Sequence, residues 1–109
     1  MPVRLDSIEY KTWLLFRGYD KRKNVVDSMK APYEIILAYN YVNKVIDDEL
    51  EVAYMGMPVF APTFKEDMIK DIANRTGYDK SALRHYMSLN TYKKYKRRIK
   101  EAVAKRIPL

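Results

Sequence analysis

A chain of 109 residues, 48% of them apolar, has room for one ordinary domain or two very small ones, with enough apolar mass for a core. It contains no cysteine, which excludes disulfides, thiolate metal sites and a cysteine nucleophile. No apolar run approaches the roughly 18 residues that a bilayer span requires, and Met1 to Asp6 lacks the apolar region of a signal peptide, so a soluble cytoplasmic protein is expected. The net charge of +7 is unevenly placed. Residues 1–65 carry nine Lys/Arg and nine Asp/Glu, whereas residues 66–109 carry twelve and five. A field of one sign on one part of a small protein points to a polyanionic partner, either nucleic acid or an anionic membrane surface.

Taken in chain order, Asp6-Ser7-Ile8-Glu9 has the form of a helix start, with Asp6 as cap. Tyr10, Trp13, Leu14 and Phe16 supply apolar positions, and Gly18 ends the helix. Tyr19 to Met29 is basic at first, then gives another turn or two of helix through Val25, Val26 and Met29. Pro32 suits the first position of a new helix. Residues 33–46 place Ile35, Ala38, Val42 and Ile46 on one stripe; the length favours a helix, while the β-branched and tyrosine content keeps a strand in play. Asp47-Asp48-Glu49 reads as an acidic break. Residues 51–60 read as a short hairpin or an extended linker, and Pro58 argues against a central strand. Ala61-Pro62-Thr63 marks the boundary between an N-terminal helical region, 1–62, and a C-terminal domain, 63–109.

The C-terminal segment has clearer punctuation. Thr63 and Glu66 form a capping box ahead of an apolar stripe of Met68, Ile69, Ile72 and Ala73. Residues 75–79 form a tight turn in which Gly77 can take a positive φ and Asp79 can cap a second helix, 80–88. In that helix Leu83, Tyr86 and Met87 face inward and Lys80, Ser81, Arg84 and His85 face outward. A turn this short makes the two helices cross steeply, with Ala73, Gly77 and Leu83 at the contact, and leaves an outer face fit for a major groove. A third helix, 91–106, has Tyr92, Tyr95, Ile99, Ala102 and Val103 on one stripe and cations over the rest.

Residues Ile69-Lys-Asp-Ile-Ala-Asn-Arg-Thr-Gly-Tyr-Asp-Lys-Ser-Ala-Leu-Arg-His-Tyr-Met-Ser88, with Tyr95-Lys-Arg-Arg-Ile-Lys-Glu-Ala-Val-Ala-Lys-Arg106, resemble the helix-turn-helix headpiece of the lactose-repressor family. The resemblance covers about forty residues. It implies base reading at Lys80, Ser81 and His85, and backbone contacts at Asp79, Ala82, Arg84, Asn90 and Thr91, although Asp79 and Ala82 replace hydroxyl residues. Family members carry the headpiece at the N-terminus, before a hinge helix and a sugar-binding domain. Here the segment comes last, so the resemblance extends to the headpiece architecture and not to a sugar sensor.

The sequence therefore leads to a mainly α protein with a C-terminal three-helix helix-turn-helix unit. The expected function is sequence-specific binding of double-stranded DNA by a small transcriptional regulator of phage or mobile-element type, nucleoid-associated and working as a homodimer on paired half-sites. Lys80, Ser81, Arg84 and His85 are the candidate base readers. Asn90, Thr91, Lys93, Lys94, Lys96 and Arg97 are the candidate backbone contacts. The alternatives are a site-marking accessory in recombination, replication or DNA packaging, and a protein-interaction module or inhibitor that binds no DNA. A membrane-surface helix at 92–106 is disfavoured because its stripe lacks the usual Trp, Phe and Leu. No phosphate loop, dinucleotide glycine pattern, catalytic serine motif or zinc spacing occurs, so no enzyme, cofactor, metal or small-molecule effector is expected. His85 is the sole histidine, a poor basis for a metal site.

Overall fold

The computed structural model describes residues 3–108, with side chains over 8–108, and the described backbone is helical with no strand. The mainly α class expected from the sequence is what is found. Five α-helices occur in order: α1 Val3–Arg17, α2 Tyr19–Ser28, α3 Tyr33–Met55, α4 Phe64–Asn74 and α5 Leu89–Arg106. Two 3₁₀ turns, Tyr78–Lys80 and Ala82–His85, lie between α4 and α5.

Helix α1 begins upstream of Asp6, which lies inside the helix rather than at its cap. Its inner face is Thr12, Leu15 and Phe16, while Tyr10 and Leu14 are exposed. Thr12 can be buried because its hydroxyl donates to the Ile8 carbonyl at 2.7 Å. Gly18 lies between α1 and α2, and a Cβ there would come to 2.5 Å from the Arg22 guanidinium, so the glycine leaves that side chain its place. That guanidinium donates to the Leu15 carbonyl and, at 2.8 Å, to Asn43 Oδ1, and the Asn43 amide donates to the Tyr19 carbonyl at 3.1 Å. Buried polar groups thus tie α1, α2 and α3 together, each with its partner.

The acidic run 47–49 does not break α3, which continues to Met55 and takes up the segment where a hairpin was an alternative; residues 57–63 are irregular. Each acid meets a donor. Tyr19 donates to Asp47 at 2.7 Å, Arg106 pairs with Glu49 at 2.9 Å, and Lys44 and Arg106 approach Asp48 at 3.6 Å. Ile46 and Leu50, one turn apart, are fully buried and carry the stripe past the charges.

One apolar cluster crosses the boundary expected near residue 62. Leu15, Phe16, Val45, Ile46 and Leu50 pack with Phe64, Met68, Ile72, Leu83, Tyr92, Ile99 and Val103, and Ala61 of the connecting segment is fully buried among them. The regions 1–62 and 63–109 share this core. Helix α1 lies against α4 and α5. There Trp13 Nε1 donates to the Ala73 carbonyl at 3.0 Å, Lys11 Nζ donates to the Ala104 carbonyl at 2.8 Å, and Glu9 pairs with Lys100 at 2.8 Å.

Candidate nucleic-acid interface

The segment between α4 and α5 departs from a helix-turn-helix. Helix α4 ends on Arg75, not on glycine: Arg75 adopts the left-handed conformation, φ 55°, and its N–H caps the Asp71 and Ile72 carbonyls. Gly77 has φ −86° and ψ 173°, which any residue can adopt, and a Cβ there would meet nothing within 4 Å. The contact expected among Ala73, Gly77 and Leu83 therefore does not use the glycine. Thr63 does not form its capping box either; its hydroxyl donates to Asp67 at 2.6 Å.

No α-helix forms over 80–88. Ser81, at φ −82° and ψ 140°, is extended and divides the segment into its two 3₁₀ turns. The cause is a buried side chain with better partners than a helix offers. Ser81 Oγ donates to the Asp71 carboxyl and accepts from the Leu83 N–H at 3.1 Å. Asp71, itself buried on α4, also accepts from the Tyr92 hydroxyl of α5 at 2.8 Å. Burial, then the bond to Asp71, raises the Tyr92 hydroxyl well above the usual tyrosine range. Asp71 thus joins α4, the turn and α5.

The candidate base readers separate on this geometry. Lys80, Arg84 and His85 are exposed on the turns, with the Arg84 guanidinium donating back to the Ser81 carbonyl at 2.7 Å. Ser81 is corrected: at 1% exposure it belongs to the core. Asp79 caps no helix, and Tyr86, expected inside, is 42% exposed.

Among the candidate backbone contacts, Lys96 is corrected. Its ammonium is half-buried and donates inward, to the Thr76 carbonyl at 2.8 Å and the Tyr92 hydroxyl at 3.2 Å. Burial, reinforced by Lys100, lowers its pKa from the ordinary lysine value. Thr91 is partly used by the cap of α5, where Ser88 Oγ accepts the Thr91 N–H at 3.3 Å. Asn90, Lys93, Lys94 and Arg97 are exposed.

Helical spacing sets these residues on one arc. With Tyr92, Tyr95, Ile99 and Val103 turned inward, Lys93, Lys94, Arg97, Arg98 and Lys105 project from the opposite side of α5. Glu101 is the sole acid of the helix and pairs with Arg97 at 2.8 Å; both side chains are more than half exposed, so the pair is weak. Lys94 and Arg98 flank the Tyr95 ring at 5.8 Å each. Arg98 and Lys105 were not among the candidate contacts, although their position relative to the apolar stripe marks them. Lys100 and Arg106 are engaged by Glu9, Asp48 and Glu49 and serve the fold.

Among the described residues, no group of three or more His, Asp or Glu could hold a metal ion, and no helix is long and apolar enough to cross a membrane. No protein-family model, curated protein or solved structure matches the chain.

Proposed function

We propose that this protein binds double-stranded DNA, with the outer arc of α5 as the main electrostatic contact and the exposed turns at Lys80, Arg84 and His85 as the sequence-sensing element. One observation carries the proposal. Lys93, Lys94, Arg98 and Lys105 share a solvent-facing arc with no carboxylate paired to them among the described residues, whereas Glu9, Asp48 and Glu49 of the N-terminal half pair with Lys100 and Arg106 instead. Cations so arranged release counterions when they meet phosphates. The 18 residues of α5 extend about 27 Å, long enough to follow a duplex groove or backbone over several base pairs.

The role we assign is that of a small regulator of transcription; site marking in recombination, replication or packaging would use the same surface. Pairing of two copies belongs to the proposal. Tyr33, Leu37 and Tyr41 succeed one another at one-turn intervals on α3, at 67%, 50% and 53% exposure, and though the Tyr41 hydroxyl donates to the Arg106 carbonyl at 3.3 Å, much of their apolar surface faces solvent. A membrane-surface role has less support, because the apolar face of α5 is consumed by the core.

An electrophoretic shift with duplex DNA at low salt tests the proposal. The wild type should retard the duplex, and Lys94→Ala with Arg98→Ala should weaken binding about tenfold. Failure of the wild type to bind would leave the protein-interaction reading.

A further inference from the structure

A cavity of about 560 Å³ opens between α1 and the α4–α5 junction; it borders the outer arc of α5 on the Lys93 side and lies away from Lys94 and Arg98. Its size falls within the ordinary range of small-molecule sites. One wall is aromatic: Tyr10 and Trp13, a turn apart on α1, have ring centroids 5.8 Å apart. Tyr10 is 56% exposed, leaving ring surface free. The Arg75 guanidinium stacks over Trp13 at 4.2 Å, and Lys96 and Lys100 form the opposite wall.

Three cations meet two acids here, and both acids are committed. Asp71 accepts from Ser81 and Tyr92, and Glu9 holds Lys100. Lys96 is the unusual member. An ammonium has three donors, and Lys96 gives two to neutral oxygens, on Thr76 and Tyr92, while lying in no salt bridge among the described residues. Asp71 and Glu9 act on Lys96 only from a distance, and a half-buried cation hydrogen-bonded to neutral oxygens alone, beside a cavity, is stabilised further by an anionic occupant. The cavity is much larger than one phosphate group requires, and its aromatic wall suits a flat ring.

We infer that this cavity is a binding site for a nucleoside monophosphate, with the base against Tyr10 and the Trp13–Arg75 stack and the phosphate between Lys96 and Lys100. The phosphate displaces Glu9 from Lys100, which costs little because the Glu9 side chain is 64% exposed and can swing into water. Residues 75–77 lead directly into the turns that carry Lys80, Arg84 and His85, so occupancy bears on the segment assigned to sequence sensing. The site itself does not depend on DNA binding.

Calorimetric titration with adenosine 5′-monophosphate tests the site, with the emission of Trp13, the sole tryptophan, as a local reporter. The nucleotide should bind saturably and change Trp13 emission, and adenosine and inorganic phosphate should each bind at least about tenfold more weakly. Tyr10→Ala, at an exposed position, should weaken binding about tenfold, whereas Glu9→Gln should strengthen it by freeing Lys100. Lys94→Ala with Arg98→Ala should leave nucleotide affinity unchanged, which separates this site from the DNA surface. No saturable binding, equal binding of inorganic phosphate, or indifference to Tyr10→Ala would each overturn the inference.

Discussion

Ser81 and Gly77 show how one side chain can redirect a segment. From spacing alone, Ser81 falls on the polar side of a helix and Gly77 at the turn that makes the helix possible. In the fold Ser81 is drawn inward by Asp71, ten residues earlier, and the left-handed conformation passes to Arg75. Ser81→Ala removes a buried donor to Asp71 and the cap on the Leu83 N–H, so it should destabilise by about 1–3 kcal/mol in urea unfolding; a groove-facing serine would cost less than about 0.5 kcal/mol. Gly77→Ala should be neutral or stabilising by about 0.4–1 kcal/mol, since the conformation is ordinary and the space open. The buried hydroxyls set the alkaline limit. Burial and hydrogen-bonding carboxyls hold Tyr19 and Tyr92 protonated above the usual pKa of about 10, so the folded state keeps protons that the unfolded chain releases. Their contribution is complete below about pH 10 and is lost as pH rises toward the folded values. Lys96 has the opposite sign, because its lowered pKa favours folding increasingly as pH rises toward the ordinary lysine value of about 10.4. The melting temperature should therefore fall from about pH 10 to pH 11, and Tyr92→Phe should shallow that fall.

Among the helices, α5 was the most legible and α3 the least. The stripe Tyr92, Tyr95, Ile99, Val103 is local information, and it fixes both the inner face of α5 and the arc on which its cations stand. The length of α3 is not local information. Asp47, Asp48 and Glu49 look like a helix end until Tyr19 and Arg106 arrive from distant parts of the chain to bind them. The segment 80–88 has a helical pattern that local spacing supports, but the partner that diverts Ser81 lies on α4. Helix α3 also carries the self-association prediction. Leu37→Glu places a charge in the middle of the Tyr33–Leu37–Tyr41 line, where it should abolish dimerisation in sedimentation equilibrium and leave the melting temperature of the monomer nearly unchanged. A wild type that remains monomeric at every concentration would remove this face from the proposal.

At the scale of the molecule, the Pro-rich stretch near residue 60 looked like a linker because its composition says nothing of Ala61 being wholly buried. Acids and cations on opposite sides of that stretch meet across α1, α3 and α5, and their pairing decides which positive charges remain for a partner. The excess noted in the sequence thus becomes a directed surface on α5 and the turns before it. The most direct test is the salt dependence of duplex binding. With Lys93, Lys94, Arg98 and Lys105 each meeting a phosphate, the logarithm of the binding constant should fall against the logarithm of salt concentration with a slope of about −4, and removing Lys94 and Arg98 together should bring it to about −2. A slope near zero, or one that those two substitutions leave unchanged, would contradict the account.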